Sequence, residues 1–496
     1  MSSTTTPHQT AASGTYPGKT RTEKDSMGEL LVPEDVLYGA STQRAVLNFP
    51  VSGRPVPAEV IVAFAMLKAA AAEVNRDLGK LDADRAAAIV EACAQIDAGL
   101  ASQGGIARHF PVDIFQTGSG TSTNMNANEV IANLVCVARG AAIGSSKDAA
   151  YLEAGGVHPN DHVNMGQSSN DTFPTAMNVA LATAMQTRLL PAVQRMAAEL
   201  EAKAQAWDRI VKIGRTHLQD ATPIRLGQEF SGYAAQMRHA ERRVARAIEA
   251  LCPLALGGTA VGTGINTHRE FGARVAAKLA ERTGIAFCEA ENHYEAQHSR
   301  DGVVEASGLL KTVAVSMSKI ASDIRLMGCG PRCGIGELIL PAVQPGSSIM
   351  PGKVNPVICE SVMMVCCQVI GNDATTTTAG LGGIGGLLDL SVAMPVMVAT
   401  TLDSVNVLAG ACGMFVENLL TGLEPDEERC KSLIEGSLAM CTTLAPVIGY
   451  DKASALAKQA FAEGKTVRQV ATEQALLPAD ELDRLLNPMS MTEPES

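Results

Sequence analysis

Between residues 303 and 327 the apolar side chains Ala306, Leu310, Val313, Met317, Ile320, Ile324 and Met327 return at alternating steps of four and three. That spacing puts one apolar stripe on a helix, and its regularity predicts a long helix packed nearly parallel to its neighbours. The same rhythm runs through Leu402, Val405, Ala409, Cys412, Val416 and Leu419, and more briefly through Ile358, Val362, Val365 and Val369. Residues 58–102 are alanine-rich at helical spacing with few β-branched side chains, and 176–206 form a further helical stretch. The pattern predicts a mainly α protein built on a long helical bundle, with apolar seams that need partner subunits.

A chain of 496 residues exceeds one ordinary core. The shifts in composition suggest a disordered tail over 1–20, a helical N-terminal domain over 21–167, a long-helix domain over 168–424 and a small helical C-terminal domain over 425–496. The glycine-rich stretches LGGTAVGTGIN (256–266) and GLGGIGG (380–386) follow no convincing strand, so they predict neither a dinucleotide fold nor a phosphate loop.

The formal charge of −12 argues against a nucleic-acid or anionic-membrane partner, which needs a positive surface field. No run of 18 apolar residues occurs, so no transmembrane helix is expected. Twelve cysteines without paired spacing suit a reducing, cytoplasmic setting. The N-terminus MSSTTTPHQTAASGTYPGKT lacks the apolar segment of a secretory signal; mitochondrial targeting is left open. Cys329 and Cys333 flank Gly-Pro-Arg but have no second pair, and His158 and His162 have a proline between them and no third ligand, so neither metal nor cofactor is expected.

Four polar stretches carry the candidate chemistry. GSSIMPGKVNP (346–356) is broken by two prolines and two glycines, and it offers Ser347, Ser348, Lys353, Val354 and Asn355 in a loop of free backbone N–H groups, a set suited to an anion. TGSGTSTNMNANE (117–129) presents Ser119, Gly120, Thr121 and Asn124 ahead of a helix, and HPNDHVNMGQSSNDTFPTAM (158–177) presents Ser168, Ser169 and Asn170 in the same way. Hydroxyls and N–H groups at a helix start favour a carboxylate, although capping is their commoner use. GRTHLQDATP (214–223) places Thr216 and His217 in a polar run at the edge of a helical region.

Together these stretches, with HPND, GPRCGIGE and CCQVIGND in the same order, resemble the fumarase/aspartase superfamily, and specifically the class II, iron-independent fumarases, over residues 21–480. The resemblance implies a three-domain fold whose central helices pack, four subunits together, into a twenty-helix core. It implies a homotetramer with active sites shared between subunits and a small dicarboxylate substrate, malate or fumarate. Malate loses a proton from C3 and hydroxide from C2 on opposite faces, by way of an aci-carboxylate dianion. The residues alone leave Ser347 and Ser348 equal as general base; the resemblance assigns Ser347, with Ser348 as a substrate contact, Lys353 assisting, and His217 paired with Glu360 as acid through a water. It also implies carboxylate contacts from Ser119, Gly120, Thr121, Ser168, Ser169, Asn170, Thr216, Val354 and Asn355. His158, Pro159, Asn160 and Asp161 correspond to a secondary dicarboxylate site.

Two rival readings share the fold. Ammonia-lyases typically have TQLQDAVP where this chain reads THLQDATP, and a hydroxide leaving group needs the proton that His217 supplies. A catalytically silent structural member is opposed by the full set of motif residues. The chain departs from the family at LLDLSVAMP (387–395) and NHYEA (292–296), and GSSKDAAYLEAGG (144–156) reads as a lengthened loop.

Overall fold

The computed structural model describes residues 18–494; most of the expected tail, residues 1–17, lies outside the described residues. The chain is mainly helical, with short two-stranded sheets between the helices. The described residues divide into two compact units, one of residues 18–183, 250–304 and 375–400, the other of 184–249, 305–374 and 401–494.

In the first unit, strands β1 (Thr20–Asp25) and β2 (Gly28–Pro33) form an antiparallel hairpin. The Arg21 guanidinium gathers the carbonyls of Pro33, Val36 and Tyr38, holding the following chain against it. The helices Ala58–Asp77 and Ala83–Asp97 pack closely because alanines alternate with Phe64, Leu67, Ile89 and Ile96, all buried. Glu129, within the NMNANE run, is buried and reaches the start of the helix Ala40–Asn48, where its carboxylate accepts from the backbone N–H of Gly39, Ser41 and Thr42. A distant carboxylate thus does the work of an N-cap side chain.

The second unit holds the long seams. All seven apolar positions from Ala306 to Met327 are buried on the helix Asp301–Met327. The other two stripes are shifted. On Val357–Gly380 the core positions are Cys359, Val362, Cys366 and Val369, with Ile358 and Val365 only half-buried; on Met394–Phe415, Leu408 takes the place expected of Ala409. A straight helix turns every 3.6 residues, so a strict seven-residue reading drifts off its face. Cys366 donates from Sγ to Ala314 O, and Asp373 receives Ser307 Oγ at 2.8 Å and Lys311 Nζ at 2.6 Å, fastening these helices together. By length and composition two helices, Val357–Gly380 and Met394–Leu420, are apolar enough to cross a bilayer. Glu360, Asp373, Asp403 and Glu417 interrupt them, so neither is an unbroken apolar run.

Residues 434–486 share an apolar cluster that includes Ile434, Leu444, Leu456, Val470 and Leu486. The helix Val467–Glu473 starts on a complete capping box between Thr466 and Gln469. GRTHLQDATP lies between the helices Leu190–Ala206 and Leu226–Ala250, at the edge of a helical region as expected, and is itself a β-hairpin, strands β3 (Val211–Thr216) and β4 (Gln219–Arg225). The stretch 144–156 is no plain loop, since it contains the short helix Ala149–Glu153. His293 of NHYEA is accommodated by Glu289 Oε1 at 2.9 Å and Ala255 O at 3.1 Å.

Candidate active site

In the first unit, Gly120 starts the helix Thr121–Ala138 with φ 74°, a left-handed value that glycine adopts freely. A Cβ there would overlap the ring of Phe173, and one at Gly118 would overlap the Val392 carbonyl. These glycines shape the turn that aims Ser119 and Thr121. Thr121 Oγ1 lies 2.9 Å from Ser119 Oγ and 2.7 Å from Ser169 Oγ, so hydroxyls from two separate motifs meet in one chain of hydrogen bonds. Asn170 is anchored beside them, Nδ2 donating to Ala260 O at 2.8 Å, and its backbone N–H donates to Ser168 Oγ at 3.2 Å. Beneath lies Asp171, wholly buried, accepting from the N–H groups of Ser168, Gly257 and Thr259. Burial pushes its pKa up to about 6 against those bonds. Asn124, expected to face a ligand, is buried and turned to Lys68.

His158 is half-buried, and its Nδ1 accepts from the N–H groups of Asn160 and Asp161 at 3.3 and 3.1 Å. His162 Nδ1 accepts from the His158 N–H at 2.9 Å. Burial holds both imidazoles below their usual pKa, so each is a neutral backbone acceptor. Pro159 is buried, whereas Asn160 and Asp161 are exposed. His158 and Asn160 line a cleft of ≈ 510 Å³ with Glu23, Asp25, Glu29 and Asp148 opposed by Lys24 and Lys147.

In the second unit, Thr216 pairs with Gln219, and His217 and Leu218 form the two-residue turn between them with φ 56° and 60°. Both positive angles match a type I′ turn, here without the usual glycine or asparagine. The hairpin is tied down at its base. Arg215 forks onto Glu337 at 2.9 and 3.0 Å, and Lys212 Nζ lies 3.4 Å from Glu337 and 3.2 Å from Glu229. Lys212 and Glu337 are almost wholly buried, so these ions are compensated by one another. Thr216 and His217 are thereby held out exposed on a rigid arm.

The loop 346–356 is folded on itself. Gly346 N–H donates to Lys353 O at 3.0 Å, and Asn355 Nδ2 donates to Gly346 O at 2.7 Å. Ser347 Oγ accepts from the N–H groups of Ile349 and Met350 at 3.2 and 3.1 Å. Ser348, Lys353 and Val354 are exposed, and among the described residues the Lys353 ammonium has no ion-pair partner. Glu360 is exposed in the first turn of Val357–Gly380; among the described residues it makes no hydrogen bond with His217. Sequence reasoning passed over Lys68, Arg215 and Glu337. Lys68 was signalled by a lone charge in AFAMLKAAAA (63–72), and the other two by their places in GRTH and GPRCGIGE.

Among the described residues no group of three or more His, Cys, Asp or Glu side chains is placed to hold a metal. The described residues offer a cluster of hydroxyls, a serine Oγ that accepts from two amide N–H groups and a histidine on an exposed hairpin turn. Residues 28–371 match the family described as Lyase, and 440–493 the one described as Fumarase C C-terminus. The chain is 49% identical over 465 residues, covering 94% of itself and 96% of the relative, to "Fumarate hydratase class II" of Thermosynechococcus vestitus. It is 46% identical over 481 residues, 97% of this chain and 94% of the relative, to "Fumarate hydratase 1, mitochondrial" of Arabidopsis thaliana. Among solved structures, the recombinant class II fumarase of Schistosoma mansoni superposes with TM-score 0.89 at 37% identity, covering 96% of this chain and 100% of that one. The chain belongs to the class II fumarate hydratase family.

Proposed function

We propose that this chain catalyses the reversible anti elimination of water from L-malate to fumarate, a step of the tricarboxylic acid cycle. The C3 proton is very weakly acidic, because removing it adds charge to an ionised carboxylate. Catalysis therefore needs a strong base and donors for the dianion, each well-placed donor contributing about 3–4 kcal/mol. The observation that carries the reading is the pair of amide N–H groups aimed at Ser347 Oγ. They favour its alkoxide, whereas no such bonds reach Ser348 among the described residues. The alkoxide takes the proton from C3, the C–H electrons pass into the carboxylate, and hydroxide leaves C2 with a proton relayed from His217 through water. Glu360 orients His217 in the assembled oligomer in this reading.

In this reading Ser119, Thr121, Ser168, Ser169, Asn170 and Thr216 contact the carboxylates, as do Ser348, Lys353, Val354 and Asn355. Gly120 serves by its conformation. Asn355 acts from its fixed place in the loop through the amide atoms its bond to Gly346 leaves free. His158, Pro159, Asn160 and Asp161 form the secondary site in this reading, although the carboxylates around them oppose an anion.

The assembly is a homotetramer with shared active sites and a twenty-helix core. Support comes from exposed Val315, Met364 and Ile370 on the long helices, apolar surface that a lone subunit would leave in water. The chain in this reading has three domains bounded at 167/168 and 424/425, and the apolar cluster of residues 434–486 supports the last of them. Twelve free thiols support a cytoplasmic location. The test is to give purified protein malate, then aspartate, and follow the ultraviolet absorbance of fumarate. Turnover of malate alone is expected. Turnover of aspartate alone would make the chain an ammonia-lyase, and turnover of neither would make it a silent member.

A further inference from the structure

Lys68 lies in the middle of the helix Ala58–Asp77 among alanines and Phe64, Leu67 and Val74, and it is completely buried. An ammonium in such a place must find donors' partners or destabilise the fold. Its Nζ donates to Asn124 Oδ1 and to Asn164 Oδ1, both at 2.8 Å. Asn124 belongs to the first turn of the helix that begins at Thr121. Asn164 donates from Nδ2 to Gln167 O at 3.1 Å, directly before Ser168. The two asparagines also meet, Asn124 Nδ2 lying 3.2 Å from Asn164 Oδ1. Thr172 Oγ1 lies between the two arms, 2.8 Å from Ser168 O and 3.2 Å from Asn124 Oδ1, and its single proton goes to the nearer, Ser168 O.

One cation therefore stands under both hydroxyl-bearing stretches. Its hydrogen-bond partners are neutral amide oxygens. Burial draws the Lys68 pKa down to about 7, and the Asp171 carboxylate, whose oxygens accept from three backbone N–H groups, favours its charged form.

We propose that Lys68 is a positioning residue for the dianionic substrate, fixing the separation of Ser119 and Thr121 from Ser168, Ser169 and Asn170 and lending those neutral groups a buried positive charge. This rests on reading the hydroxyl cluster as a carboxylate site. The test measures KM, kcat and inhibition by succinate and by its monoamide, succinamate, for Lys68→Met, Lys68→Gln and Lys68→Arg. In the Met and Gln variants KM rises about tenfold or more while kcat changes less than about threefold, as expected for losing a charge-supported binding interaction. Preference for succinate over succinamate falls at least about fivefold in both, and Lys68→Arg retains it. A lysine that only filled space would weaken both inhibitors alike, and an unchanged preference in Gln and Met overturns the inference. Should the Met variant fail to fold, the Arg and Gln variants decide it, equal preference in the two counting against. Thr121→Val and Ser169→Ala separate the two claims. If they leave both inhibitors unaffected, the carboxylate site is misassigned; if they weaken binding while the Lys68 variants keep the preference, only the role of Lys68 fails.

Discussion

Replacing Ser347 by alanine tests the chemistry at its narrowest point. In the structure Ser347 Oγ accepts two amide N–H groups, from Ile349 at 3.2 Å and Met350 at 3.1 Å. A hydrogen bond to an ionised group is worth about 1.5–3 kcal/mol, so the pair lowers the cost of the alkoxide by about 3–6 kcal/mol. At about 1.4 kcal/mol per factor of ten this corresponds to roughly 10²–10⁴ in rate, the usual range for a general base. Ser347→Ala should lose that much kcat. The two N–H groups sit on exposed residues, where water replaces the lost oxygen, so stability should shift by no more than about 0.5 kcal/mol. Ser348→Ala, with no such donors to lose, should cost less than about tenfold. The assay is fumarate absorbance under malate saturation, with thermal unfolding as the control for folding. If Ser347→Ala kept a tenth of its activity, or Ser348→Ala lost more, the argument from the two amides would be wrong.

The remaining expectations concern the scaffold that presents these groups. Leu218 is 72% exposed with φ 60°, so Leu218→Gly should relieve about 1 kcal/mol of left-handed strain and raise the unfolding midpoint in urea, whereas no gain would mean the turn is not held as described. Gly120→Ala forces a Cβ into the Phe173 ring at a φ of 74° and should cost about 2–4 kcal/mol, read as a lower thermal midpoint and a matching loss of soluble protein. His109 is buried, accepts from the Leu37 N–H at 3.0 Å and lies 2.9 Å from Gln103 O; burial holds its pKa below the ordinary value. The unfolded chain then binds the proton more readily, so this contribution is complete above about pH 6.5 and is lost as pH falls below it. Urea unfolding from pH 7.5 to 5 should show the parent losing stability relative to His109→Gln, and parallel curves would refute the sign.

The long helices were legible because their signal is local and repeated. The seven buried positions from Ala306 to Met327 lie within one helix, and any face that returns every three or four residues announces itself. The hairpin carrying His217 was not legible, because its turn has neither of the residues that normally mark a type I′ turn and its strands are short. Its shape is imposed from outside: Arg215 reaches Glu337 across 122 positions of sequence, and a propensity reading has no access to that distance.

The same distinction separates motif membership from motif function. Apart from GRTHLQDATP, which forms a β-hairpin, the polar stretches lie at turns, helix starts or loops, as their composition predicts, yet within each the structure divides the work between presenting chemistry and holding shape. Thr121 and Ser169 share a hydrogen bond, while Asn124, three positions beyond Thr121, is turned inward to an ammonium 56 residues away. Gly120 is needed for a left-handed turn and for clearance from Phe173, and Asn355 pins its own loop shut on Gly346 O. A side chain's direction is fixed by the partner that neutralises or satisfies it, and in a buried polar site that partner is usually distant in sequence. The residues hardest to recognise, Lys68 among them, are for that reason the ones that fix where the recognisable ones point.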